Sequence, residues 1–298
     1  MHPKHVRIWV LATPLLWGLV FVGVNRVLQY TDAFQLVTLR FLLIAVLFVG
    51  YMAAVPRARP KLSKRDWRLA WIAGLLAVPL SQLPIVYSQN FLHPTLASLL
   101  VTTAPASAAI LGPLFLPERV TFGQAVGFVV AFAGAAIVIV GGAGGAAVDG
   151  SSIIGAGIGL VTPVAWALYT ILLKNLSTGD PFVTVGVGLV LGTVLLIPWM
   201  PSALSVAGSI PLDGWLWIIY LGLFGTFTAY LVWFRALRIL EANQTAAYMY
   251  LVPIAALVWS LLILGEGPPL VALPGGALIF IGLFLIQSQA RSRTKEAA

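Results

Sequence analysis

The chain has 298 residues, 60% of them hydrophobic and 9% charged, and its seventeen Lys and Arg against nine Asp and Glu give a formal charge of +8. A soluble domain carries about 25% charged residues, and one this apolar would turn hydrophobic surface toward water that only a bilayer can cover. The chain has no cysteine, which excludes disulfides, thiolate catalysis and cysteine-bound metals.

Residues 1–7 form a short basic leader that runs into an apolar stretch too long for a cleavable signal, so they read as the lead-in to a spanning helix over 8–29. A second span, 33–55, follows the break at Thr31-Asp32 and ends in the basic loop 57–68. Residues 69–117 contain no Asp, Glu, Lys or Arg and hold two spans, 69–92 and 94–116, separated at His93-Pro94. Further uncharged runs predict spans over 120–141, 153–174, 182–200, 214–236, 242–264 and 270–289, each near the roughly 20 apolar residues that cross a bilayer. The expected fold is therefore an all-α membrane protein with ten transmembrane helices. With the N-terminus in the cytoplasm, fifteen of the seventeen Lys and Arg fall in cytoplasmic segments and none in an outer loop. This positive-inside pattern predicts that both termini are cytoplasmic. It also reads the net charge as a topology signal, with no nucleic-acid partner. The two remaining bases are Arg26, near the outer end of the first helix where it can snorkel, and Arg40, inside the second.

The chain reads as two copies of one unit. Ala104-Pro105 through Leu116-Pro117-Glu118 matches Val252-Pro253 through Leu264-Gly265-Glu266 at an offset of 148, which also pairs Trp67 with Trp215 and Gly74 with Gly222. An offset of 149 pairs Pro14 with Pro163 and Trp17 with Trp166. Five spans per copy is an odd number, so the second copy enters the membrane in the opposite sense. The expected units are residues 1–145 and 146–298, joined near the Gly-rich stretch 141–145. Inverted repeats of this kind are a transporter architecture with the substrate site near the midplane.

Ten spans in a five-plus-five inverted repeat, an intramembrane Leu39-Arg40-Phe41, a Pro-then-Glu ending to the fourth helix of each half (Pro105 with Glu118, Pro253 with Glu266) and a Gly-rich final helix resemble the EamA branch of the drug/metabolite transporter superfamily. The resemblance covers nearly the whole chain. It implies a multi-pass protein of the bacterial inner membrane that moves amino acids, other metabolites or toxic compounds, often outward. It also implies that the first, third, fourth, sixth, eighth and ninth helices line a central cavity.

Polar and aromatic groups on those helices suggest what the cavity holds. Thr102 shares a face of the fourth helix with Ser98, Pro105 and Ala109, and its repeat mate is Tyr250. Gln82 has Tyr230 as mate, with Trp233 one turn beyond; Trp17 and Trp166 are mates, with Tyr169 one turn beyond Trp166. Any one aromatic reads equally as packing bulk or a lipid-facing ring. As a set, Trp17, Gln82, Thr102, Trp166, Tyr169, Tyr230, Trp233 and Tyr250 point to a mainly neutral, aromatic-lined pocket.

The charges have two readings each. Arg40 either binds an anionic group of the substrate or clamps helix-end carbonyls and Asp32. Glu118 and Glu266 either cap or pair locally at helix ends, or latch the inner and outer mouths. All nine acids fall at span ends or in loops, so no internal carboxylate is expected to titrate during transport. The chain has no P-loop, no histidine pair at ligand spacing within a span and no serine near a histidine and a carboxylate. No cofactor, metal or catalytic centre is expected. The partners are a small-molecule substrate and the bilayer, and the functional unit is a monomer. The expected function is a secondary transporter or exporter of small polar organic metabolites, amino acids first, by alternating access. The alternatives are drug or toxic-metabolite efflux, a channel, and an intramembrane transferase, the last lacking the acid, histidine or cysteine cluster it would need.

Overall fold

The structure is a computed structural model that describes residues 3–55, 62–115, 122–142, 150–174, 181–237, 249, 251–267, 270 and 273–296. Every regular element among these residues is helical. Helix α1 is Pro3–Val27 and α2 is Ala33–Ala54. Asp32 caps α2 in a reciprocal box with Gln35, its carboxylate taking the Gln35 N–H while the Gln35 amide oxygen takes the Asp32 N–H. Ser63 and Asp66 start α3, Lys64–Ala77, in the same way.

Prolines, short turns and a widened turn then interrupt the helices. Pro79 has no N–H to offer a preceding turn, so α3 stops at Ala77 and α4, Pro79–Ser88, begins after Val78. Helix α5, Pro94–Val101, passes through a turn at Thr102 and Thr103 into α6, Ala104–Phe115. Helix α7 is Phe122–Gly142; α8, Gly150–Gly159, hands over at Leu160 to α9, Val161–Lys174. Helix α10, Pro181–Val194, leads by a 3-10 turn at Ile197–Trp199 into α11, Met200–Ala207, with a bend of 49°. Helix α12, Leu212–Ile219, opens into a π-helical stretch, Tyr220–Thr228, and closes again as α13, Ala229–Leu237. Helix α14 is Leu251–Ile263 and α15 is Leu273–Glu296. The expected span 182–200 thus continues past its predicted end. The expected span 242–264 is seen from Leu251, its earlier part and the linker residues 143–149 lying outside the described residues.

Among the described residues, four stretches are long and apolar enough to cross a membrane: Ala33–Ala54, Lys64–Ser88, Ile153–Leu172 and Leu212–Trp233. The bent pair Val185–Val194 and Ile197–Ala207 makes a fifth if counted as one. The perimeter agrees with them. Leu114 is 73% exposed, Leu262 71% and Phe284 70%, a surface that water would not tolerate and hydrocarbon covers without cost.

Inside, α7 lies along α15, α1 along α14, α3 along α10 and α6 along α9. Small residues permit the closest of these approaches. A Cβ placed on Gly74 would fall 2.6 Å from the Gly188 carbonyl oxygen and 2.7 Å from the Gly192 nitrogen, so the Gly188-x-x-x-Gly192 face of α10 meets α3 backbone to backbone. The largest fully buried side chains include Phe41, Ile44 and Phe48 of α2, which places α2 in the interior beside the site.

Candidate functional site

The interruptions converge. Ser81 and Gln82 just past the α3–α4 junction, Gly225 of the π stretch Tyr220–Thr228 and Val101 at the end of α5 line one cavity of about 100 Å³. A π stretch pushes one extra residue into a turn, and its misfitting carbonyls find side-chain partners. Here the Trp17 indole N–H donates to the Gly225 carbonyl at 3.1 Å, while the Thr226 hydroxyl donates to the Leu221 carbonyl at 3.1 Å. The π stretch therefore fixes a cavity tryptophan from across the bundle. Helix α1 is tied further by the Tyr220 hydroxyl to the Leu16 carbonyl (2.8 Å) and by the Trp259 indole to the Leu15 carbonyl (3.1 Å).

Of the eight predicted pocket residues, Trp17, Gln82, Trp166 and Tyr230 line this cavity. The Tyr230 ring stands edge-on between the two tryptophans, 6.2 Å from Trp17 and 6.0 Å from Trp166. The repeat-matched pair therefore meets through Tyr230 instead of face to face. Trp233 is placed behind the wall, against Trp17 at 5.1 Å, and Tyr169 behind Trp166 at 5.4 Å. Tyr169 is 1% exposed and its hydroxyl has no hydrogen-bond partner among the described residues. Thr102 is also off the wall, because its hydroxyl turns back to the Leu99 carbonyl at 2.6 Å where the chain leaves α5; its neighbour Val101 takes the lining position. Tyr250 and Glu118 lie outside the described residues.

The shared face of Gln82 and Gln89, one heptad apart, is readable in the sequence, and the apolar residues on it and on the Trp17 face are not singled out there. Val20, Phe21 and Val24 extend the Trp17 face of α1, and Ile85, Val86 and Gln89 extend the Gln82 face of α4, both at the i, i+3, i+4, i+7 spacing of one helical stripe. Thr162 lines the cavity and donates to the Ser81 carbonyl at 2.7 Å. A lateral apolar groove is bordered by Leu80, Val161 and Val164.

Arg40 is the correction with the largest chemical consequence. It lines the cavity, so the wall carries one guanidinium, and α2 joins the cavity helices. It does not reach Asp32, which lies two turns away and is engaged with Gln35. Arg40 is 5% exposed; its Nη2 donates to the Thr226 hydroxyl at 2.6 Å and its Nη1 to the Gln82 carbonyl oxygen at 3.4 Å. The guanidinium carbon sits 5.5 Å from the Phe41 ring centre. An unpaired guanidinium at mid-membrane costs about 2.5–3.5 kcal/mol even on insertion scales. Both of its hydrogen bonds go to neutral acceptors, and the one to Gln82 is long at 3.4 Å, so no opposite charge neutralises the guanidinium among the described residues.

The remaining charges sit at helix ends. Arg26 donates through Nη2 to the Ile263 carbonyl at 2.8 Å, capping the C-terminus of α14 rather than reaching away from the bundle. Glu266 is exposed and lies beside His93, whose imidazole burial holds below its usual value while the Glu266 charge and backbone pull it back up. His93 accepts the Thr95 N–H at the start of α5. The Tyr30 hydroxyl donates to Asp213 at 2.9 Å, and that bond, then burial and the carboxylate charge, holds the phenol above its usual value.

Known proteins were compared with this chain. The EamA-like transporter family matches it twice, over residues 6–140 and 153–288. The chain is similar to an uncharacterized transporter of Archaeoglobus fulgidus, 26% identical over 92% of this chain and 95% of that one. It is similar to a probable terminal-alkyne amino-acid exporter of Streptantibioticus cattleyicolor, 32% identical over 83% of this chain and 82% of that one. A protein of known crystal structure shares the fold, with a TM-score of 0.67 at 17% identity over 97% of this chain and 98% of that one.

Proposed function

The chain belongs to the EamA-like transporter family, a family of membrane transporters and not of enzymes, and from that premise we propose that it is a secondary carrier, an exporter of small polar metabolites with amino acids as the leading class. It crosses the bacterial inner membrane ten times as two inverted five-helix repeats, keeps both termini in the cytoplasm, works as a monomer and exposes its central cavity to each side in turn.

The observation that carries this reading is the central cavity, walled by Trp17 and Trp166 from equivalent positions of the two halves and roofed by the interruptions in surrounding helices. The packing supports the repeat, because helix pairs occur with their mates. Helix α1 packs on α14 as α9 packs on α6; α1 packs on the π stretch and α13 as α9 packs on α3 and α4; α3 packs on α10 as the π stretch packs on α2. The pairs α2 with α10 and α7 with α15 are their own mates. An offset of 148 also sets Val78, at the α3–α4 junction, against Thr226, in the π stretch. Equivalent weak points on opposite walls are what a cavity needs if it is to open alternately to the two sides. The named exporter among the relatives favours amino acids as the first class to test.

The test is counterflow in proteoliposomes. Purified protein should exchange at least one common amino acid across the bilayer, with saturation. Trp166→Ala should raise the half-saturating concentration by roughly tenfold, the equivalent of about 1–2 kcal/mol of lost aromatic contact. Protein-dependent flux of no amino acid at all would overturn the substrate class.

A further inference from the structure

Resting on the carrier reading, we propose that Arg40 is the anion subsite of the cavity, so that the transported molecule carries a carboxylate, and that Gln89 receives a hydrogen-bond donor from the same molecule.

Arg40 is a buried cation with no carboxylate partner among the described residues. A guanidinium has five N–H donors. Two are engaged, by the Thr226 hydroxyl and the Gln82 amide oxygen, both neutral acceptors. Nε is buried and has no partner among the described residues. A structural clamp would be expected to end on an acid or on helix-end carbonyls, as Arg26 does on Ile263. Arg40 instead ends on a cavity wall. The two bonds hold the planar group from the side, through the π stretch and α4, leaving donors for a ligand. A carboxylate is the small group whose paired oxygens match a guanidinium fork.

Gln89 is the second, independent observation. It lines the same cavity, is 6% exposed, and its amide oxygen has no partner among the described residues. A buried acceptor left empty costs as much as a lost hydrogen bond, so it marks a place for a ligand N–H or O–H. Gln82 marks the depth of Arg40 on the same helical face. Seven residues at about 1.5 Å each put the Gln82 and Gln89 backbones about 10 Å apart, a gap that long side chains and a small bifunctional molecule close together. Trp17, Trp166 and Tyr230 line the same cavity and suit an apolar or aromatic side chain branching from the carbon that bears both polar groups. The cavity is thus complementary to an amino acid: carboxylate on Arg40, body on the rings, amine toward Gln89.

The test uses full-length protein in lipid nanodiscs and four probes with one body: L-phenylalanine, 3-phenylpropionate, L-phenylalanine methyl ester and phenethylamine. The readout is the ligand-induced shift of the unfolding midpoint, titrated to an affinity. The two carboxylates should raise the midpoint and the ester and the amine should not. Arg40→Gln should weaken both carboxylates by about ten- to a hundredfold, the loss expected for a hydrogen bond to a charged group. Its ligand-free midpoint should not fall, since an uncompensated charge leaves the interior. Arg40→Lys keeps the charge without the fork and should give an intermediate loss. Gln89→Leu should weaken L-phenylalanine and spare 3-phenylpropionate. If the ester and the amine bind as well as the acids, the carrier reading stands and the anion subsite falls. If none of the four binds, the amino-acid reading of the cavity falls with it. If Gln89→Leu weakens both acids equally, Gln89 is not the donor's partner.

Discussion

Tyr169 has a hydroxyl that folding buries and leaves without a partner among the described residues, one turn behind a cavity tryptophan. Such a group costs about 1–3 kcal/mol relative to a site built without it. Tyr169→Phe should therefore raise the unfolding midpoint by a few degrees and leave ligand affinity unchanged; a loss of binding would place Tyr169 on the path after all. Its position was hidden from sequence for a plain reason. Helical spacing sets Trp166 and Tyr169 on adjoining faces, but depth on a helix does not distinguish a ring on the wall from a ring one layer behind it. Thr102 was hidden differently, because its hydroxyl satisfies a carbonyl at the end of its own helix, as serine and threonine do wherever a helix turn is left open. Arg40 was visible as a charge within a span; its partners were not, since they come from α4 and the π stretch, 42 and 186 residues away.

At the scale of elements, the apolar runs mark where several of the helices lie, because a bilayer span needs roughly 20 apolar residues. Expected 33–55 is seen as Ala33–Ala54, and expected 153–174 ends with α9 at Lys174. The interruptions were only partly legible. Pro79 announces the start of α4, but nothing in Tyr220–Thr228 announces a π stretch, which depends on Trp17 and Arg40 arriving to satisfy it. Close approach was legible in the spacing of Gly188 and Gly192, and it yields a test. A Cβ on Gly74 would meet backbone atoms of both glycines, which have no rotamer to yield. Gly74→Val should force α3 from α10 and cost about 1–3 kcal/mol or more, seen as a lower unfolding midpoint and less folded protein. Gly50→Ala, where a Cβ meets nothing within 4 Å, should be neutral. An unperturbed Gly74→Val protein would mean that α3 and α10 do not pack this closely.

At the scale of the molecule, the outer surface and the central cavity are opposite answers to one problem. Residues such as Phe284 face lipid and need no partner, whereas the cavity collects the polar groups that lipid excludes: Arg40, Gln82, Gln89 and Thr162. The account stands on those groups meeting water and substrate inside the bilayer. The absence of native cysteine permits the direct test. Single cysteines at Gln82, Gln89 and Trp166 should react with a small water-soluble thiol reagent, a cysteine at Phe284 should not, and saturating transported amino acid should protect the first three. Inert cysteines at the three cavity positions, or reaction there that substrate leaves untouched, would contradict a central substrate site.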